Sequence, residues 1–293
     1  MTRAEKIKIR AERVRQRILR AEAAKLAANT TTTTITAIVD VTTTTTTTPI
    51  VLVPDRKLVL EICVHCFRYQ RRLTWLLSSI LQQEGDIPSI IVNISHTDND
   101  GDPTTESVCK FFREKGLDIK ETIVTQDEVR NRGRSRNKQT QESQADFLLY
   151  VDCDMVYDKD FFADLHKQMR TNLWNETRLM GADRISLKEA FCIKYFEEDA
   201  REYPCVIENA AEIVSKWEVK WITGKCTCPG NFQLASMRAI KTKGGGYGGR
   251  NNDVWRHTKS DRAMRCRMGG RVPIEVKKQW HLNHDRGGPD IQR

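Results

Sequence analysis

Two carboxylates two positions apart, Asp152 and Asp154, close the central part of residues 145–160, which read ADFLLYVDCDMVYDKD. The five residues before them, 147–151, are apolar and β-prone, a run too short for an isolated helix and suited to a buried central strand. Alternate positions of an extended chain face the same way, so both carboxylates are expected to leave the strand end on one side. Hard oxygen ligands at the carboxyl end of a buried strand suit Mg²⁺ or Mn²⁺, and such a cation suits a diphosphate. Taken alone, the Asp-x-Asp pair also fits an acidic turn before a helix opening at Asp158. The neighbouring elements decide between the two.

Those elements alternate. Residues 58–66 read as a strand, 71–83 as an amphipathic helix, 89–94 as a strand and 107–115 as a helix. Residues 119–124 follow as a strand, 136–143 as a helix, and then comes the strand ending at Asp152. This alternation predicts an α/β fold with a mostly parallel central sheet and helices on both faces. Ligands bind such sheets at the carboxyl ends of the strands, where Asp152 and Asp154 lie. Cys63 and Cys66 fall within the first strand, and an offset of three points them to opposite faces, which is poor geometry for zinc. Cys226 and Cys228 are the other closely spaced pair.

Residues 63–83, CVHCFRYQRRLTWLLSSILQQ, resemble the opening strand and helix of family 2 glycosyltransferases of the GT-A fold, with Phe67 at the family's Tyr position and Arg68 at its Asn. Gly133, Ser135, Arg136 and Asn137 resemble the segment that leads into that family's metal-binding strand, and Asp152-Cys153-Asp154 matches its Asp-x-Asp motif. Residues 230–240 resemble the strand, turn and helix that follow the acceptor-side loop. Gly246-Tyr247-Gly248-Gly249, followed by Asn251, Asn252 and Asp253, is similar both to the Gly-Gly-Phe and Glu-Asp of family 2 and to the Gly-Trp-Gly-Gly-Glu-Asp of the β-1,4-galactosyltransferase group. His281-Leu282-Asn283-His284 resembles the latter group, which supplies metal ligands three residues apart. The resemblance spans about residues 58–284. It departs at the end of the second strand, where Ile94 and Ser95 replace an acidic pair that grips the base, with Asp98 or Asp100 as substitutes from the loop.

The resemblance implies a metal-dependent transfer of a sugar from a nucleotide-sugar donor, a UDP sugar being favoured, to an acceptor hydroxyl with inversion. It assigns the donor site to Phe67, Arg68, Ser95, Arg132, Arg136, Asp152, Gly248 and Gly249. Asp154, His284 and His281 become a mixed carboxylate and imidazole shell suited to Mn²⁺, or Mg²⁺. Asp253 becomes the base that takes the acceptor proton, and the five glycines among residues 244–249 allow close backbone approach and a hinge. Arg130, Arg132 and Arg136 either meet the phosphates or base, or form a solvated charge run. Trp255 and Trp280 either stack on a sugar or fill the core. Residues 171–229, with Trp217 and Trp221, sit where the fold recognises its acceptor.

Composition bounds the rest. The 293 residues carry a net charge of +9, but residues 1–28 hold nine Lys or Arg against three Glu, so the remainder has an ordinary globular balance. Residues 1–28 read as a basic helical tail with one thin apolar stripe, and 29–50, holding 13 Thr, as a linker that cannot offset its ordering entropy. Residues 51–293 form the expected catalytic domain. No run approaches the length of a membrane span and no signal-like apolar region follows the basic N-terminus, so a cytoplasmic protein is expected, and its nine Cys fit reduced thiols. A glycan is the expected acceptor. The basic tail also permits a hydroxylated base in DNA, and Asn251 and Asn252 permit a catalytically inactive fold that binds a nucleotide sugar.

Overall fold

The computed structural model describes residues 52–98, 104–222, 232–243, 261 and 264–284, all within a compact unit spanning Ile50–Arg293. In chain order, β1 (Val59–His65) leads into α1 (Gln70–Leu81), β2 (Ser89–His96) into α2 (Thr105–Glu114), and β3 (Ile119–Ile123) into α3 (Gln126–Arg130) and α4 (Arg132–Glu142). Then come β4 (Phe147–Asp152), β5 (Met155–Tyr157), α5 (Phe161–Gln168) continued by one π-turn (Met169–Leu173), β6 (Leu179–Ala182) and β7 (Ile185–Leu187). Helices α6 (Glu189–Glu198) and α7 (Ala210–Ser215) precede β8 (Val219–Ile222). Finally β9 (Phe232–Ser236) passes directly into α8 (Met237–Thr242), followed by β10 (Arg271–Ile274) and β11 (Gln279–His281).

Two sheets result. The larger has the order β10-β6-β9-β4-β1-β2-β3, in which β4, β1, β2 and β3 run parallel and β9 is inserted antiparallel between β4 and β6. The smaller has the order β5-β11-β7-β8. This is the expected mostly parallel α/β architecture; β4 is apolar through Val151, and β1 is apolar in its middle apart from the buried Glu61. Helix α1, QRRLTWLLSSIL, is buried along most of its length, polar residues included, because Leu73, Leu76 and Leu77 join the core cluster of the larger sheet while Trp75 joins the cluster of the smaller one. Cys63 and Cys66 face opposite clusters, as their spacing predicts, and both thiols are free. Cys226 and Cys228 lie outside the described residues.

Strand β2 runs two residues beyond the expected end, and α4 begins four residues before the expected start. The second difference has a physical reason. The face that α4 buries consists of Gly133, Ser135, Arg136, Gln139 and Thr140, so no apolar stripe marks its beginning. Instead a buried polar network holds it. Glu61 accepts hydrogen bonds from Asn93 Nδ2 (2.7 Å) and Ser143 Oγ (2.5 Å), and Gln139 Nε2 donates to the carbonyls of Asn93 (2.7 Å) and Val64 (3.1 Å). Both Glu61 oxygens and the Gln139 amide N–H groups find partners, while Gln139 Oε1 stays buried without one among the described residues, and the network fixes the register of α4 over β1 and β2. That register aims the first turn of α4 at the end of β4.

Candidate active site

At the end of β4 the chain makes a turn at Cys153 and Asp154 before β5 begins at Met155. The turn breaks the extended geometry that would have kept Asp152 and Asp154 on one side, and the two carboxylates meet different partners. This corrects the expectation from their spacing. Asp154 is 4% exposed, and its Oδ2 lies 3.1 Å from His281 Nε2 and 3.4 Å from His284 Nε2. Burial by itself pushes the Asp154 carboxyl up, but His281, then His284 and Arg72, outweigh burial and hold it well below the usual carboxylate range.

Sequence separation of more than 120 residues is bridged by a strand pairing. β11 runs antiparallel to β5 with His281 opposite Met155, and Leu282 N–H donates to the Asp154 carbonyl at 2.8 Å. Leu282 is fully buried in the cluster that also holds Trp280. The chain leaves the strand there, which lets His284 return toward Asp154 although a three-residue offset would point it away from His281 on a continued strand. Tyr69 steadies it: its hydroxyl is 3.3 Å from His284 Nδ1 and the rings lie 5.0 Å apart.

The donor set fits a divalent cation. Asp154 Oδ1 is buried without a hydrogen-bond partner among the described residues, and so is His281 Nδ1. A buried carboxylate oxygen left unmatched is costly, and one carboxylate with two imidazoles is a shell that first-row divalent ions accept.

Asp152 belongs to a different arrangement. Arg132 Nη1 lies 2.9 Å from its Oδ1, and Arg136 Nη2 lies 3.3 Å from the same oxygen. Arg136 is completely buried, and its Nη1 reaches Asp261 Oδ1 at 3.2 Å, so this guanidinium braces two carboxylates across the site. Its placement differs from the expected contact with a phosphate. A charge with no solvent access needs fixed anionic partners, and Asp152 and Asp261 provide them. Arg132, about a quarter exposed, remains open to a ligand.

The other expected positions divide. Phe67 and Arg68 stand in the loop between β1 and α1, the Arg68 guanidinium 5.2 Å from the Phe67 ring, with Arg68 in the left-handed region at φ 61°. Ser95 is fully buried and its Oγ donates to the Val64 carbonyl at 3.2 Å, so it ties β2 to β1 and is not presented to a ligand. Strand parity explains this correction, since Ser95 shares the face of Asn93 beneath α4. Trp280 is 4% exposed and packs in the core with Trp217, which settles its two readings in favour of packing. Gly248, Gly249, Asp253, Asn251, Asn252, Asp100 and Trp255 lie outside the described residues, as does the Arg130 side chain.

Three residues were missed in the sequence. Tyr69 supports His284, Arg72 contributes to the field on Asp154, and Arg184 lies in the fields of both Asp154 and Asp152. Burial lowers the Arg184 guanidinium, and the two aspartates oppose that. Tyr69 and Arg72 flank the recognisable loop, whereas the Asp183-Arg184 turn between β6 and β7 carried no signal.

Residues 61–173 match the family model described as Glycosyl transferase family 2. No curated protein matches the sequence. Among solved structures, residues 1–349 of S. aureus TarS are similar at 14% identity with a TM-score of 0.50, covering 76% of this chain and 60% of that one. The same protein in complex with UDP-GlcNAc gives 13% identity, a TM-score of 0.51 and coverage of 79% and 60%. Its complex with UDP gives 13%, 0.50, 78% and 60%. The chain thus spans about 60% of the length of these structural neighbours.

Proposed function

We propose, from the match of residues 61–173 to the Glycosyl transferase family 2 model and the similarity in fold to TarS, a metal-dependent, inverting enzyme that transfers a sugar from a UDP sugar to a glycan hydroxyl. The observation that carries the reading is the convergence of His281 and His284 on the buried carboxylate of Asp154. The neighbour's complexes with UDP-GlcNAc and UDP support a uridine donor as the first to try.

A divalent cation held by Asp154, His281 and His284, with Mn²⁺ favoured by the imidazoles, would supply counter-charge for the departing diphosphate. The chain's own groups do the rest. Asp253 accepts the acceptor's hydroxyl proton as its oxygen bonds to the anomeric carbon, while the bond from that carbon to the diphosphate oxygen breaks and its electron pair leaves with the nucleoside diphosphate. Phe67 and Arg68, at the mouth of the first loop, contact the nucleotide. Arg132 meets donor phosphate, and Gly248 and Gly249 allow close approach to the sugar. Arg136 and Asp152 hold the floor of the site in place.

The test is nucleoside diphosphate release from UDP, GDP and TDP sugars with Mn²⁺, with and without glycan acceptors. Release with one donor, lost in Asp154→Ala, is the expected result. Asp253→Asn should retain donor binding and lose transfer. Normal turnover in Asp253→Asn would remove Asp253 as base, and donor binding without turnover in the wild type would make the chain an inactive nucleotide-sugar binder.

A further inference from the structure

On the far side of β2 from Ser95, three side chains that the reaction does not use converge. His96 ends β2, Cys109 lies on α2 and Glu121 on the edge strand β3, and one ligand atom from each lies within 4.8 Å of the other two. His96 and Cys109 are buried, at 1% and 0% exposure, while Glu121 is partly open. Strand register explains the meeting. Glu121 pairs with Ile94, two residues before His96, so both point to the sheet face on which Val108, Cys109 and Phe112 pack.

The hydrogen bonds define what this cluster lacks. His96 Nδ1 lies 3.0 Å from the Thr97 carbonyl, an acceptor only, so Nδ1 carries the proton. That leaves the Nε2 lone pair directed at Glu121 Oε2, 2.8 Å away. Two acceptors at that distance need a cation between them, either a second proton or a metal ion. The backbone bond on the far ring nitrogen is the usual support of a metal-bound imidazole. The adjacent thiol, with no catalytic role, favours a borderline-soft ion over Mg²⁺ or Ca²⁺. Arg113 bonds the other Glu121 oxygen and holds the carboxylate in orientation.

We propose that His96 Nε2, Cys109 Sγ and Glu121 Oε2 form a second cation site, separate from Asp154, that takes Zn²⁺. Zinc bonds of about 2.0–2.3 Å place tetrahedral ligands about 3.3–3.5 Å apart, so binding spreads the His96–Glu121 pair by roughly half an ångström and releases the thiol proton. The ion joins α2 to the end of β2 and the middle of the edge strand β3. The open side of Glu121 leaves its fourth position to water.

Cobalt titration of the full chain carrying Asp154→Ala, which clears the other shell, tests this. A thiolate-to-cobalt charge-transfer band should saturate at one equivalent, and zinc should abolish it. X-ray absorption of the zinc-loaded protein should show one sulfur per zinc, which separates this site from any two-cysteine site. Cys109→Ser should lose the band while circular dichroism stays native. Glu121→Gln, at the partly exposed edge, should bind cobalt at least tenfold more weakly and covers the case in which Cys109→Ser does not fold. Absence of the band, its survival in folded Cys109→Ser, two sulfurs per zinc, or unchanged affinity in Glu121→Gln would each overturn the site and leave a His96–Glu121–Arg113 ion pair alone.

Discussion

Replacing Arg136 by Met separates bracing from ligand binding, because Met keeps much of the volume and removes only the charge and hydrogen bonds. Arg136 has no solvent access and links Asp152 (3.3 Å) to Asp261 (3.2 Å). Breaking a buried ion pair by removing one partner costs about 3–5 kcal/mol, since the remaining charge stays desolvated. Here Asp152 keeps Arg132 at 2.9 Å, and the two carboxylates retain 21% and 17% exposure, so the lower end applies. A loss of about 3 kcal/mol, roughly a hundredfold in the folding constant, is expected for Arg136→Met. Arg132→Met removes a partly exposed pair and should cost under about 1 kcal/mol. Urea denaturation of the full chain measures both, and donor KM is measured on the folded protein. Arg136→Met should move the unfolding midpoint far and KM little, with the reverse for Arg132→Met. A midpoint in Arg136→Met close to wild type, or a larger loss in Arg132→Met, would refute the bracing role.

Two further substitutions probe the periphery. Arg68→Gly relieves a left-handed backbone worth about 1–2 kcal/mol and gives back part of it as unfolded-chain entropy, so stability should change by less than about 1 kcal/mol. Donor KM should nonetheless rise, and an unchanged KM would take Arg68 out of the donor site. Glu176 is held below its ordinary value of 4.5, chiefly by the Arg178 side chain, against burial and with help from the backbone N–H groups of Arg178 and Thr177. A depressed native carboxylate stabilises above its unfolded pKa, and that contribution disappears as pH falls through the native value. Melting temperature followed downward from neutral pH should therefore fall less steeply below 4.5 in Glu176→Gln than in the wild type. Identical acid slopes would show that the Arg178 pair does not contribute.

What was legible in the sequence was whatever repeats locally. The β and α alternation from β1 to β4 is written in strands that are mostly apolar, and the acid at the end of β4 in adjacent letters, because a buried parallel strand favours apolar residues while its carboxyl end is free to carry ligands. The α4 start was illegible for the opposite reason: its buried face is polar, and Gln139 is read correctly only against the carbonyls of Asn93 and Val64, which the fold brings to it. Parity misled at Ser95, where the alignment with the family chose a position whose side chain points under α4, while the neighbouring His96 points to α2.

The two aspartates show how far a motif can carry a site. Asp-x-Asp specifies two carboxylates near a strand end, but one turn decides that Asp152 is surrounded by arginines and Asp154 by imidazoles. Those surroundings assign different chemistry to identical side chains. A guanidinium pair neutralises much of the charge on Asp152, chiefly at Oδ1. Asp154 retains a buried, unmatched oxygen among the described residues, which is the feature a cation can satisfy. His281 comes from β11 and His284 from the residues just after it, and the antiparallel pairing of β11 with β5 brings both to Asp154. The last strand of the smaller sheet is therefore part of the candidate metal site, and any substitution that slips its register by one residue would turn His281 away from Asp154 while leaving the motif itself intact.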